Sequence, residues 1–174
     1  MIVANFVVIE TSKNMNTEER VELAKAYFRQ GYNCSQSVVL AFQDICGVDS
    51  ESLKKLCAGL GGGVGRMREV CGCVCGMAVL SGFIESQTLT PNEQKKAAYT
   101  LTQKMASDFK KETGSIVCRE LLGLSSDHVS PLSTAPSPTP EPRTDDYYKK
   151  RPCEQMVALA ARIVSEALKN SNNF

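Results

Sequence analysis

One histidine, no long apolar run and almost no net charge narrow the chemistry open to this chain of 174 residues. The single histidine, His128, stands in a Ser/Pro-rich stretch and reads as a solvated loop residue, because a Cys–His catalytic pair would need that stretch to fold over the core. A C-x-x-C-H haem attachment site and a C-x-x-C redox pair are both missing. No run approaches the roughly 20 apolar residues that span a bilayer, so membrane insertion is not expected. The start, Met1-Ile2-Val3-Ala4-Asn5-Phe6, has neither the basic segment nor the small-residue cleavage site of a signal peptide. The expectation is a cytoplasmic protein whose thiols are reduced at rest. Net charge is +1, and the lysines fall in scattered pairs such as Lys54-Lys55, Lys95-Lys96 and Lys110-Lys111. Without a basic stripe to follow a phosphate backbone, nucleic acid is not expected as a partner. The glycine run at 61–65 is not a dinucleotide fingerprint, since no strand precedes it and no third glycine falls at the required place.

What the chain has is cysteine: eight residues, three of them in Cys71-Gly72-Cys73-Val74-Cys75-Gly76 directly after Gly61-Gly62-Gly63-Val64-Gly65. A chain of this length builds a core without disulfides, so the cysteines point to sulfur chemistry, as nucleophile, redox group or soft metal ligand. Residues 1–14 read as an appendage with a short strand-like run at 3–9 that has nothing to pair with. From Met15 onward the pattern is helical. Val21, Ala24 and Phe28 form one stripe ending at Gly31, and Val38, Phe42 and Ile45 a second ending at Gly47. A short amphipathic piece runs from Ser50 to about Ala58, and a third long apolar segment from Met67 to about Ile84. Pro91 opens a fourth helix through Leu101, Met105 and Phe109 to Gly114. One or two helical turns cover Cys118 to Leu122. Residues 124–151 read as a long internal loop, with five of the seven prolines between Pro131 and Pro142 and with Asp145-Asp146 as loop charges. A last helix carries Met156, Ala160, Ile163 and Val164, a stripe that must fold back on the others. The expected fold is all-α, a single compact domain over 15–170 with about five main helices.

Helix phase sorts the cysteines. Cys34, Cys118 and Cys153 each stand three or four residues before inward apolar positions and at a helix start, where unpaired backbone N–H groups favour a thiolate. Cys71 precedes Cys75 and Ala78 at the same spacings. Arg66, Arg68, Arg119 and Lys149-Lys150-Arg151 lie nearby in sequence and push the same way. In a helix continuous from Met67, Cys73 lies about 200° round the axis from Cys71 and Cys75 almost in line with it. The expected site is therefore Cys34, Cys71, Cys118 and Cys153 with Cys75 as an auxiliary, and Cys73 points elsewhere. In an extended segment all three would share one side, as a soft-metal trap needs. Cys46 and Cys57 read as packing, the usual role of a small apolar side chain. Gly72 and Gly76, continuing near Gly82, make a smooth face that lets another helix approach. Tyr147 and Tyr148 either cover the pocket near Cys153 or anchor the loop.

These residues resemble the bacterial C_GCAxxG_C_C family of redox-active proteins. The resemblance rests on Gly31-Tyr32-Asn33-Cys34-Ser35-Gln36, on Gly61 to Arg66 leading into Glu69-Val70-Cys71-Gly72 and Gly76, on Gly114-Ser115 and Cys118-Arg119-Glu120-Leu121-Leu122-Gly123, and on Cys153. It implies that Cys34, Cys71, Cys118 and Cys153 are the family's four characteristic cysteines, that Cys73 stands where alanine is usual, and that Cys75 fills a variable position. It also implies a redox partner and a link to transport systems. Three readings follow. In the first, inward thiols cycle between dithiol and disulfide or carry electrons. In the second, the same four cysteines ligate zinc or an iron–sulfur cluster. In the third, the cysteines are core filler in a structural or partner-binding module.

Overall fold

The structure, a computed structural model, describes residues 15–84, 90–124 and 137–171. The strand-like run at 3–9 and His128 lie outside them. The described residues are all-α, apart from one isolated antiparallel bridge between Val70 and Val117. Local sequence sets most helix starts. Asn16 and Glu19 form a reciprocal capping box on α1 (Thr17–Arg29), and Asn33 and Gln36 do the same for α2 (Cys34–Leu40). The short α3 (Gln43–Cys46) stops at Gly47, whose φ is 61°. Asp49 caps α4 (Ser50–Cys57), and a 3-10 turn, Ala58–Leu60, follows. Beyond a glycine loop come α5 (Gly72–Ile84) and α6 (Pro91–Thr113), the latter with a Thr90–Glu93 capping box and a left-handed Gly114 at its end. The remaining helices are α7 (Cys118–Leu121), α8 (Asp145–Lys150) and α9 (Cys153–Asn170).

Helix α9 packs along α1 and also meets α2, α5 and α6, while α5 lies between α2 and α6. One core results, with Ala24 and Phe28 of α1, Val38 and Val39 of α2, Met77 and Leu80 of α5, Met105 and Phe109 of α6, and Val157 and Val164 of α9 all buried. Each large side chain so placed contributes about 1.5–3 kcal/mol of transfer free energy. A buried ion pair ties α1 to the corner between α2 and α3. Arg20 donates through Nη1 to the Ala41 carbonyl and through Nη2 to Asp44 Oδ2, both at 2.7 Å, and lies over the Phe42 ring. No helix of the described residues is long and apolar enough to cross a membrane.

Three boundaries differ from the sequence pattern. The second helix is two, because Phe42 leaves helical geometry at φ −125° and ψ 25° and separates α2 from α3. The third begins at Gly72 rather than Met67, because Gly62, Gly63, Val64, Gly65, Arg66 and Arg68 all have positive φ and cannot continue into a right-handed helix. Within 124–151, Asp145 and Asp146 are the first turn of α8, capped by Thr144, where acidic side chains face the helix's positive end.

Candidate functional site

The four cysteines singled out by helix phase reach one place by separate local devices. Asn33 caps α2 and its Nδ2 donates to the Cys57 and Ala58 carbonyls at 3.2 and 3.0 Å, so the helix that begins with Cys34 is pinned to the end of α4. The opposing segments 68–71 and 116–119 place two more. The Cys71 N–H donates to the Ile116 carbonyl at 2.8 Å, and the Cys118 N–H to the Glu69 carbonyl at 2.6 Å. Cys71 immediately precedes α5, its carbonyl accepting the Cys75 N–H at 3.0 Å, and Cys118 opens α7. Cys153 opens α9 behind Pro152.

Close approach of α5 to α2 brings the groups together. A Cβ on Gly72 would lie 3.1 Å from the Cys34 Cβ and 3.0 Å from the Leu60 carbonyl oxygen, and one on Gly76 would lie 3.1 Å from the Ser35 carbonyl oxygen. Gly82 meets nothing within 4 Å, so the smooth face is limited to the first two glycines.

Between these elements is a cavity of about 370 Å³ lined by Cys34, Cys71, Cys73, Cys118 and Cys153. Cys73 therefore belongs to the site, and the expectation that it points away is corrected. Helix α5 starts at Gly72, with Cys71 just before it, so a phase counted along a helix from Met67 does not apply, and both Cys71 and Cys73 line the cavity. Cys75 is not part of the lining. It is partly exposed, and its Sγ donates to the Val70 carbonyl at 3.8 Å. Of the five lining thiols, Cys34 and Cys153 are partly exposed, whereas Cys71, Cys73 and Cys118 are buried.

Hydrogen bonds from the Cys153 and Cys73 thiols hold Cys34 well below the ordinary thiol range, and the charge of Arg143 adds to them against the cost of burial. The donors move the other way. Cys153 and Cys73 are pushed up, chiefly because each gives its hydrogen to Cys34. Burial and the neighbouring Cys71 raise Cys118 despite a hydrogen bond from Arg68. A helix start thus does not by itself make a thiolate here. Burial also lifts Cys75 to about 11 and Cys46 to about 12, and it raises Cys57. Cys73→Ala removes one donor to the Cys34 sulfur, so the iodoacetamide reaction of Cys34 is expected to shift to higher pH. Cys75→Ala leaves its profile in place. Matching profiles for Cys73→Ala and the unaltered protein would contradict this assignment.

The lining also holds four arginines: Arg66, Arg68 and Arg151 approach one carboxylate, Glu141, while Arg143 does not. Arg119, counted among the nearby cations from sequence, pairs with Glu69 at 2.7 Å instead. Arg143 has no sequence signal at all, being far along the chain from every lining cysteine except Cys153. It stacks on Phe28 and Tyr147, 4.3 and 4.7 Å from the ring centres, and donates to the Tyr32 carbonyl at 3.2 Å. Tyr147 lines the cavity, while Tyr148 anchors the segment by edge contact with Phe28 and a hydroxyl bond to the Arg29 carbonyl. A metal or cluster needs three or more ligands disposed around one point. Among the described residues no group of three or more His, Cys, Asp or Glu has that disposition, so the thiols do not fit such a centre as they stand.

An all-α protein with several thiols gathered in one arginine-walled cavity is the class that fold and site define. Residues 32–167 match the family described as "Putative redox-active protein (C_GCAxxG_C_C)", and the chain belongs to that family. No curated protein and no solved structure matches the chain.

Proposed function

We propose that the protein exchanges a dithiol for a disulfide, with Cys34 as nucleophile and Cys153 as resolving thiol. The observation that carries this reading is that these two partly exposed thiols line one cavity, where Cys153 is the largest cause of the low titration of Cys34. The Cys34 thiolate attacks one sulfur of a disulfide, RSSR, and the first RS⁻ departs. Cys153 then attacks the Cys34 sulfur, gives up its proton, and expels the second RS⁻. One S–S bond breaks and one forms, and the two electrons lost by the dithiol reduce RSSR. Cys73 also lowers the titration of Cys34, and Cys71 lies next to Cys73. The reading places the reaction in a reducing, cytoplasmic setting.

Protein purified without oxygen and titrated with bis(2-hydroxyethyl) disulfide is expected to lose thiols two at a time. Peptide mapping is expected to recover Cys34 joined to Cys153 first. Thiol loss that is unpaired, or a first pair lacking Cys34, would sink the proposal. Iron or zinc in the purified protein, with charge-transfer absorption in the case of iron, would replace it with the metal reading.

A further inference from the structure

Apart from the charge of Arg143 on Cys34, the arginine wall is not used by the exchange chemistry, and its geometry is unusual. Among the described residues Glu141 is the one carboxylate in the lining, and Arg151 holds it through two contacts of 2.6 Å. Arg66 and Arg68 approach the same carboxylate only to 3.7 and 3.9 Å. Three guanidinium groups therefore share one negative charge, and Arg143 adds a fourth cation to the lining. Arg66 Nε and Arg143 Nη1 are buried and have no hydrogen-bond partner among the described residues. Buried N–H groups of a cation almost always find an acceptor, so two left open in a cavity wall call for oxygen atoms from a ligand. Arg66 and Arg68 are also held in left-handed backbone conformations, at φ 64° and 63°, which non-glycine residues adopt at a cost and which cluster at ligand sites.

We propose that the cavity takes small organic disulfides that carry carboxylates, with Arg66 and Arg143 supplying the N–H groups for a carboxylate while the disulfide sulfur meets Cys34. This rests on the thiol-exchange reading and names its substrate class. A planar guanidinium matches a carboxylate in two-pronged geometry, which favours this acceptor over a neutral one. A volume of about 370 Å³ lies within the usual range of small-molecule sites. The bond changes are those given above, and each departing thiolate leaves with its own carboxylate.

The test compares three disulfides at neutral pH: 3,3′-dithiodipropionate, a dianion; bis(2-hydroxyethyl) disulfide, which is neutral; and cystamine, a dication. Each rate of Cys34–Cys153 formation is divided by the rate of the same reagent with N-acetylcysteine amide, which removes intrinsic reactivity. The dianion is expected to lead the dication roughly 10- to 100-fold. The lead narrows as salt rises to about 1 M, where screening shortens to about 3 Å. In Arg66→Gln and Arg143→Gln the dianion-to-neutral ratio is expected to fall about tenfold. That ratio is unaffected by any change in Cys34 nucleophilicity. If Arg143→Gln does not fold, Arg66→Gln and the salt series decide the matter. Equal ratios in the unaltered protein and the variants, or a dication as fast as the dianion, would overturn the inference while leaving exchange intact. So would oxidation by a protein disulfide alone. Failure of all reagents, the neutral one included, to join Cys34 to Cys153 would overturn the exchange reading instead.

Discussion

Cys34→Ser is expected to remove the fast phase of disulfide exchange and to slow thiol loss by at least about 100-fold at neutral pH. Cys73, Cys118 and Cys153 are displaced upward, so none of these three replaces it as a thiolate. Cys75, pushed to about 11, holds only about 10⁻⁴ of its thiolate form at pH 7. The variant keeps its helix, because the cap of α2 is made by Asn33 and Gln36 and not by residue 34. Far-UV circular dichroism is therefore expected to be unaltered while the kinetics collapse. Cys153→Ser should behave differently, with the mixed disulfide on Cys34 forming and then persisting longer, because the resolving thiol is gone and Cys73, the other neighbour of Cys34, is pushed well up by its thiol contacts and burial. Stopped-flow rates and intact mass distinguish the two variants. Oxidation of Cys34→Ser at the unaltered rate would remove Cys34 from its role.

Gly63→Ala is expected to cost about 2–5 kcal/mol, against a total stability of about 5–15 kcal/mol for a domain. Part of this is the left-handed backbone, φ +74°, at about 1–2 kcal/mol for a residue with a Cβ. The rest is overpacking, about 1–3 kcal/mol, since the new Cβ would lie 2.6 Å from the Cys118 Cβ, 2.7 Å from the Glu69 nitrogen and 2.8 Å from the Arg68 Cα. Two of these are backbone atoms that cannot swing aside. The strain falls on the contact that sets Cys118 against Glu69, so the cavity should distort as well. Gly65→Ala is the matched control, with φ +57° and nothing within 4 Å, and should lose only the backbone share. Urea unfolding of the pair measures the difference. Equal losses would show that the packing around Gly63 yields.

The three helix-start cysteines, Cys34, Cys118 and Cys153, were legible because glycine stops, helix-opening residues and apolar stripes are local and read in order along the chain. Asn33, Pro152 and the stripes behind them place Cys34 and Cys153 with no knowledge of neighbours. Cys73 was misread for an equally local reason. From Met67 to Ile84 the run is apolar enough to pass for one helix, and nothing in it marks Gly72 as the first helical residue. An angle counted from Cys71 then assigns the wrong face. The left-handed loop before it depends on carbonyls of Gly59, Gly61, Gly62, Gly63 and Val64 accepting N–H groups from 65–69, a closed pattern rather than a residue preference. Val64, Arg66 and Arg68 adopt positive φ there with no glycine to announce it.

By itself the sequence determined that the chain is helical, belongs with cysteine chemistry and starts several helices at cysteines, because these follow from short-range periodicity and capping. Only the tertiary structure decided which thiols meet and what charge they face. The low titration of Cys34 comes from Cys153, Cys73 and Arg143, and none of the three is near it in the chain. Hydrogen bonding and Coulomb attraction act over a few ångströms of space, and the packing of α5 on α2 together with the folding of α9 and the 143–151 segment onto α1 and α2 brings those groups within that range.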